Sequence, residues 1–209
     1  DGTNISNKLQ LSNHVVAGFE YDLNKNIQIN IEGYYKDFPQ LIVVNRNKIE
    51  RNEPDYVVEE GEAYGVDLTF KYEVPRVYLW ATYSHGYVNR NDGEQVYPTI
   101  FDRRHNVNML ATYDLDKEST WQVSVRWNLG SGFPFTQTKG FYNEQTFIGG
   151  IGTEYETNNP DNIGIIFSDE RNGGRLPYYH RLDMSVLKKF KFSKHTGLEV
   201  NMSVTNAYN

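Results

Sequence analysis

Between Trp121 and Leu129 every second residue is apolar: Trp121, Val123, Val125, Trp127 and Leu129 alternate with Gln122, Ser124, Arg126 and Asn128. Side chains on a β-strand point to opposite faces in turn, so this period of two predicts a strand with one greasy face and one wet face. The pattern recurs. Ile27, Ile29 and Ile31 oppose Gln28, Asn30 and Glu32; Tyr64, Val66, Leu68 and Phe70 oppose Gly65, Asp67, Thr69 and Lys71; Leu198, Val200, Met202 and Val204 oppose Glu199, Asn201, Ser203 and Thr205. In all, eight extended segments are expected, near residues 13 to 22, 26 to 37, 62 to 72, 77 to 88, 105 to 113, 119 to 130, 180 to 190 and 198 to 206. Slipping any of them by one residue would carry charges into the apolar layer, so the register is strongly specified.

Short and long connections alternate between these segments. The short turns are Leu23 to Lys25, Glu73 to Arg76, Asp114 to Glu118 and Lys191 to Gly197; the long loops run from Phe38 to Gly61, Asn89 to Arg104 and Ser131 to Tyr179. All short turns then fall on one rim and all long loops on the other, which is the layout of an all-β, antiparallel transmembrane β-barrel. A soluble antiparallel sheet with one solvated face shows the same alternation. Length separates the two: soluble strands average about 5 to 6 residues, a tilted strand crossing a bilayer needs about 9 to 11, and most segments here reach that. Tyr21, Tyr35, Tyr72, Tyr87, Tyr113 and Trp121 fall near segment ends, where an interfacial girdle would sit. The residues expected to face lipid are Ile27, Ile29, Ile31, Val66, Leu68, Phe70, Trp121, Val123, Val125, Trp127, Leu129, Leu198, Val200, Met202 and Val204.

Composition fits a barrel better than a helical membrane protein. Hydrophobic residues make up only 38% of the 209, but a spanning strand needs only one apolar face, and no run approaches the roughly 20 apolar residues of a transmembrane helix. The 16 Tyr, 11 Phe and 3 Trp are residue types that favour membrane interfaces. A net charge of -6 argues against a nucleic-acid partner. Without cysteine there are neither disulfides nor thiolate metal sites. The chain opens at Asp1-Gly2-Thr3 with no basic or apolar leader pattern, so an export signal is expected to have been removed or to lie far upstream.

Catalytic chemistry finds little purchase. His14, His85, His105, His180 and His195 never stand two to five residues from another His, so no local metal-ligand spacing exists and no cofactor is expected. Ser131, between Gly130 and Gly132, lacks the strand-turn-helix context of a nucleophile elbow and reads as a turn. No motif supplies a nucleophile with its base, and no enzyme activity is expected. In the polar cluster Phe101-Asp102-Arg103-Arg104-His105, Arg103 and Arg104 either contact anions at the mouth or pair with Asp102 and neighbouring strands; pairing is the expectation. Glu154, Glu156, Asn158, Asn159, Asp161 and Asn162 are oxygen ligands suited to Ca²⁺ but lack EF-hand spacing, so a solvated acidic loop is expected. Phe133, Phe135, Phe141, Tyr142, Phe147 and Tyr155 crowd the last long loop. They suit stacking on sugars, gripping a protein partner such as a surface lipoprotein, or plugging the loop's own fold. A faint repeat begins at His105-Asn106-Val107-Asn108-Met109 and His180-Arg181-Leu182-Asp183-Met184, each after a long loop, which suggests equivalent starts of strands.

Five stretches together are more specific: Gly61-Glu62-Ala63-Tyr64-Gly65-Val66-Asp67-Leu68; Phe101-Asp102-Arg103-Arg104-His105-Asn106-Val107; Trp127-Asn128-Leu129-Gly130-Ser131-Gly132-Phe133-Pro134-Phe135; Arg175-Leu176-Pro177-Tyr178-Tyr179-His180-Arg181-Leu182-Asp183; and Val204-Thr205-Asn206-Ala207-Tyr208-Asn209. Spread over nearly the whole chain, they resemble the C-terminal part of the barrel of a TonB-dependent outer-membrane receptor of the type common in Bacteroidota. The resemblance implies about eight strands of a 22-stranded barrel with a plugged lumen. Residues 1 to 209 would then be a partial barrel domain, with plug domain, energy-coupling box and last strand outside this stretch. It also implies energy-coupled uptake of a scarce ligand across the outer membrane of a Gram-negative bacterium. The implied partners are outer-membrane lipid, the protein's own plug and a TonB-type inner-membrane energiser. Arg126, Asn128, Asp183 and Asn201, the polar partners of the apolar stripes, would line the lumen or touch the plug. Two other readings stay open: a small self-contained barrel of eight strands with a structural or adhesive role, and a secreted carbohydrate-binding β domain.

Overall fold

The structure, a computed structural model, describes residues 9–46, 48, 50–143 and 163–208. Every regular element among them is a strand: β1 (Leu11–Asn24), β2 (Ile27–Val44), β3 (Tyr56–Val74), β4 (Val77–Asn91), β5 (Val96–Pro98), β6 (His105–Asp114), β7 (Trp121–Gly130), β8 (Pro134–Phe135), β9 (Thr138–Asn143), β10 (Ile163–Phe167), β11 (Gly174–Arg175), β12 (Tyr179–Lys191) and β13 (Gly197–Val204). The eight long ones form an antiparallel sheet in the order β1-β2-β3-β4-β6-β7-β12-β13, and β5 adds to the loop-rim end of β4. Each strand lies beside the next long strand in the chain, the simplest wiring available to an antiparallel sheet. β1 and β13 are the two ends of that order. The sheet is therefore open, and these eight strands do not form the small self-closed barrel.

The turns are tight and locally encoded. Between β3 and β4 only Pro75 and Arg76 intervene, with Val74 opposite Val77. At the β1–β2 turn the Asn24 side-chain Oδ1 accepts the Asn26 backbone amide at 2.8 Å. The β6–β7 turn is built on Asp116. Its carboxylate accepts the amides of Thr120 at 3.1 Å and Trp121 at 2.8 Å and the Thr120 hydroxyl at 2.6 Å, while Ser119 takes a φ of 52°.

The long connections differ from expectation. Most of the stretch from Phe38 to Gly61 is strand, because β2 runs on to Val44 and β3 begins at Tyr56. The period of two breaks at Pro39, which has no amide to give to the ladder and falls where the register shifts between Phe38 and Leu41. Beyond that bulge the pairing resumes between two unbroken apolar runs, with Ile42, Val43 and Val44 opposite Val58, Val57 and Tyr56. The connection from Asn89 to Arg104 folds back on β4 as β5 through a turn in which the Asp92 carboxylate accepts the amides of Glu94 and Gln95, with Gly93 at a φ of 92°. The Ser131 to Tyr179 connection contains two small ladders, β8 with β11 and β9 with β10. Residues 154 to 162, with the candidate Ca²⁺ ligands, lie outside the described residues, as do Phe147 and Tyr155.

A consequence for the β6–β7 turn is testable. The Thr120 hydroxyl and the Trp121 and Thr120 amides bring the Asp116 carboxyl down to about 2. Because the folded value lies below the ordinary value near 3.9, this turn contributes stability above about pH 4 and loses it as pH falls through about 2. Carboxyl-carbon NMR should give an Asp116 midpoint near 2, and Asp116→Asn should loosen the Trp121 amide at neutral pH. An ordinary midpoint near 3.9 would contradict the geometry.

Candidate functional site

Residues directly opposite in a ladder share a face, so the register shows how far the apolar surface extends. One row runs Phe19, Ile31, Leu68, Tyr83, Val107, Leu129; the next runs Tyr21, Ile29, Phe70, Ala81, Met109, Trp127, Leu182; a third runs Ile27, Tyr72, Leu79, Ala111, Val125, Met184, Val204. Val123, Val186 and Met202 follow in a fourth row, and Trp121, Lys188 and Val200 in a fifth. Val66 joins through His85, and Leu198 through Phe190. Every residue expected on the apolar side of the strands lies on this one face, which crosses all eight long strands.

Nothing in the described chain covers that face. Ala63 and Tyr97 are the hydrophobic residues buried among the described residues, while Phe19 is 63% exposed and Met202 75%. The chain exposes 15486 Å², against about 10,000 Å² for a soluble protein of this mass.

Rings with polar tips flank the band at both ends. At the loop rim Tyr64 stacks on Tyr87 at 5.1 Å, His85 on His105 at 4.7 Å, and the Tyr83 hydroxyl hydrogen-bonds His105 Nδ1 at 2.9 Å. Across β12 the Trp127 indole donates to the Tyr208 hydroxyl at 3.0 Å, and that hydroxyl also meets His180 Nδ1 at 2.8 Å. At the turn rim Arg76 lies 5.3 Å over Tyr113, and Lys188 lies 4.6 Å over Trp121. Lys188 sits on the apolar face with its stem along the band and its head at the edge, as an amphipathic side chain does at an interface. From His105 to Tyr113 on β6 is eight positions. At about 3.4 Å per residue the belts stand about 27 Å apart along the strand, which the tilt of about 40° usual in barrels would make about 20 Å in height.

The opposite face is polar. Asn128 donates to Asn108 at 2.6 Å, Asn108 to Thr82 at 3.3 Å, and Thr112 meets Ser124 at 3.2 Å, so amides and hydroxyls link neighbouring strands. Asp183 accepts Arg181 Nη2 at 2.6 Å and the Asn206 amide at 3.0 Å, and so turns the chain after β13 back along β12. Arg126 lies opposite Asp183, and Asn201 opposite Leu187, both with polar-face neighbours.

Above the loop rim two buried carboxylates tie the connections together. Asp102 is fully buried; its carboxylate accepts the Val88 amide at 2.9 Å, Arg104 Nε at 2.7 Å and Arg175 Nη2. Arg175 also donates to the backbone carbonyls of Asp102 at 3.0 Å and Gly132 at 3.3 Å. Glu59 accepts the Tyr97 hydroxyl at 2.6 Å and Arg171 Nη1 at 3.4 Å, and Arg90 lies 3.9 Å away. The same Arg171 nitrogen reaches Asp92 at 3.1 Å, and its guanidinium stacks 4.0 Å over Tyr97. Burial, helped by the Glu59 carboxylate, pushes the Tyr97 phenol up to about 12. Burial works against ionisation of Asp92, but the Gln95 and Glu94 amides and Arg171 outweigh it and hold its carboxyl below the usual range.

The pairing expected for both Arg103 and Arg104 holds for Arg104 alone. The second partner of Asp102 is Arg175, not Arg103. Sequence reasoning missed Glu59, Tyr97 and Arg171 as a cluster, because they lie on three connections and only the folded chain brings them together. Phe141 and Tyr142 on β9 are largely exposed, with the Tyr142 ring seated against Gly164 of the same connection. A comparison with models of known protein families finds no match, and a comparison with curated proteins finds none.

Removing one partner of a buried ionic cluster leaves the others uncompensated, which costs about 3–5 kcal/mol. Asp102→Ala should therefore free the β8–β11 region: the Val88 amide should exchange faster and proteases should cut faster between residues 133 and 175, with the long strands unchanged. Exchange and cleavage equal to wild type would show that Asp102 does not hold these connections.

Proposed function

We propose that this chain is wall of an outer-membrane β-barrel, and that the barrel belongs to a TonB-dependent receptor that takes up a scarce ligand with energy supplied from the inner membrane. The observation that carries the first part is the uncovered apolar band bounded by two aromatic belts. A soluble protein covers such a face with a second layer. A bilayer covers it with hydrocarbon, and outer-membrane barrels carry an apolar band about 25 Å tall between aromatic girdles, close to the height between the belts here. Short turns on one rim and long, internally hydrogen-bonded connections on the other match periplasmic and extracellular sides.

The receptor reading adds the five stretches quoted above, whose resemblance covers nearly the whole chain. An open sheet with a polar inner face suits one part of a wide barrel whose lumen is filled by another segment. In this reading Arg126, Asn128, Asp183 and Asn201 line the wall, and the cluster around Asp102 and Glu59 keeps the extracellular connections upright over the mouth. Ligand capture then falls to those connections, with lipid, plug, inner-membrane energiser and a surface lipoprotein as partners. A secreted carbohydrate-binding domain accounts for the exposed Phe141 and Tyr142 but leaves the apolar band without cover.

Fractionation of the source cells, with peptides from this region identified by mass spectrometry, tests the proposal. The expected result is an outer-membrane species whose denatured mass is several times 24.3 kDa. A water-soluble species contradicts the barrel, and a membrane species near 24.3 kDa contradicts the large receptor.

A further inference from the structure

Among the described residues, Arg103 near the loop rim has no carboxylate partner. Arg104, Arg171, Arg175 and Arg181 each hold a carboxylate. Arg103 instead has its Nε buried without a hydrogen-bond partner. Its guanidinium is nevertheless firmly seated. On one side the Phe133 ring lies 4.4 Å from Cζ. On the other lies Gly130, where an added Cβ would come within 2.5 Å of Cζ and 2.7 Å of Nε.

That seat is on the polar face. Gly130 continues the series Ser124, Arg126, Asn128, so a side chain there would point away from the apolar band, and Arg103 occupies the space it would take. Asn106 and Tyr179 are the two residues paired with Gly130 in register. They flank Gly130 on the two neighbouring strands, on the same face as the guanidinium. An arginine already held between a ring and a backbone has lost rotamer freedom before any ligand arrives, which lowers the cost of binding. Its planar fork matches two oxygens of a carboxylate or phosphate.

We propose that Arg103 anchors an oxyanion-binding site at the loop-rim end of the polar face, taking a small carboxylate or phosphate group through its fork, with Asn106 as a neighbouring donor. Gly130 makes the seat, because any side chain there displaces the guanidinium. The site rests on the reading above only in requiring that this face be open to water.

The test is isothermal titration of the complete polypeptide in detergent with succinate and, separately, with inorganic phosphate. One binding event per chain is expected, and the tighter of the two anions identifies the group recognised. Arg103→Gln should weaken it about tenfold or more. Gly130→Ala should weaken it similarly, although the cation remains, because the new methyl drives Arg103 off its seat. Arg126→Gln, at an exposed position on the same polar face, should leave it unchanged. Wild-type protein that binds neither anion, or Arg103→Gln that binds as wild type does, overturns the proposal. Binding that depends on Arg103 in a protein recovered from the soluble fraction would reject the membrane reading and leave this site standing.

Discussion

An apolar sheet face has to be covered, and the rest of this structure depends on how that is met. Each long strand contributes a stripe of aliphatic and aromatic side chains to one face, and the ladders join the stripes into a single band. Burial contributes roughly 25 cal/mol per Å² of apolar surface, and with Ala63 and Tyr97 as the fully buried hydrophobic residues among those described, much of that is left to be gained outside the sheet. The strands are held to one another by backbone hydrogen bonds and cross-strand pairs, and the driving force for the fold has to come from whatever lies against the band. The belts at its two edges place polar tips where hydrocarbon would give way to water.

A sheet organised in this way cannot rely on an apolar core to fix its connections, and at the loop rim buried ions take that role. Asp102 and Glu59 each gather side chains and amides from segments far apart in sequence. Such clusters add little net stability compared with apolar packing, but removing one member is costly. Specific geometry is the gain. Tyr97 and Arg171 stack on each other and both hydrogen-bond Glu59, so the connection carrying β5 and the one carrying β8 to β11 are fixed relative to the start of β3.

The long strands were legible because a period of two is forced on any strand with one apolar face. Their ends were less so. Pro39 interrupts the alternation of β2 and hides its continuation to Val44, and the extension of β3 back to Tyr56 was lost with it. The short ladders β8–β11 and β9–β10 have too few residues to show a period. Pairing among charges was the least legible: Arg171 reaches Glu59 across 112 positions, and nothing in the local composition of either segment announces the other. Asp102, Arg103 and Arg104 stood out as a cluster, yet whether Asp102 takes Arg103 or Arg175 depends on where Phe133 and Gly130 hold Arg103, which only the folded connections decide.

The central claim is that one face of the long strands meets lipid and the other meets water. Nitroxide labels placed singly at positions 122 to 128 along β7, in the complete protein reconstituted in bilayers, test it most directly through their accessibility to oxygen and to a water-soluble nickel chelate. Oxygen accessibility peaking at 123, 125 and 127, with nickel accessibility peaking at 122, 124, 126 and 128, is the result this account predicts. Labels at 123, 125 and 127 that favour nickel over oxygen, or no period of two, would contradict it.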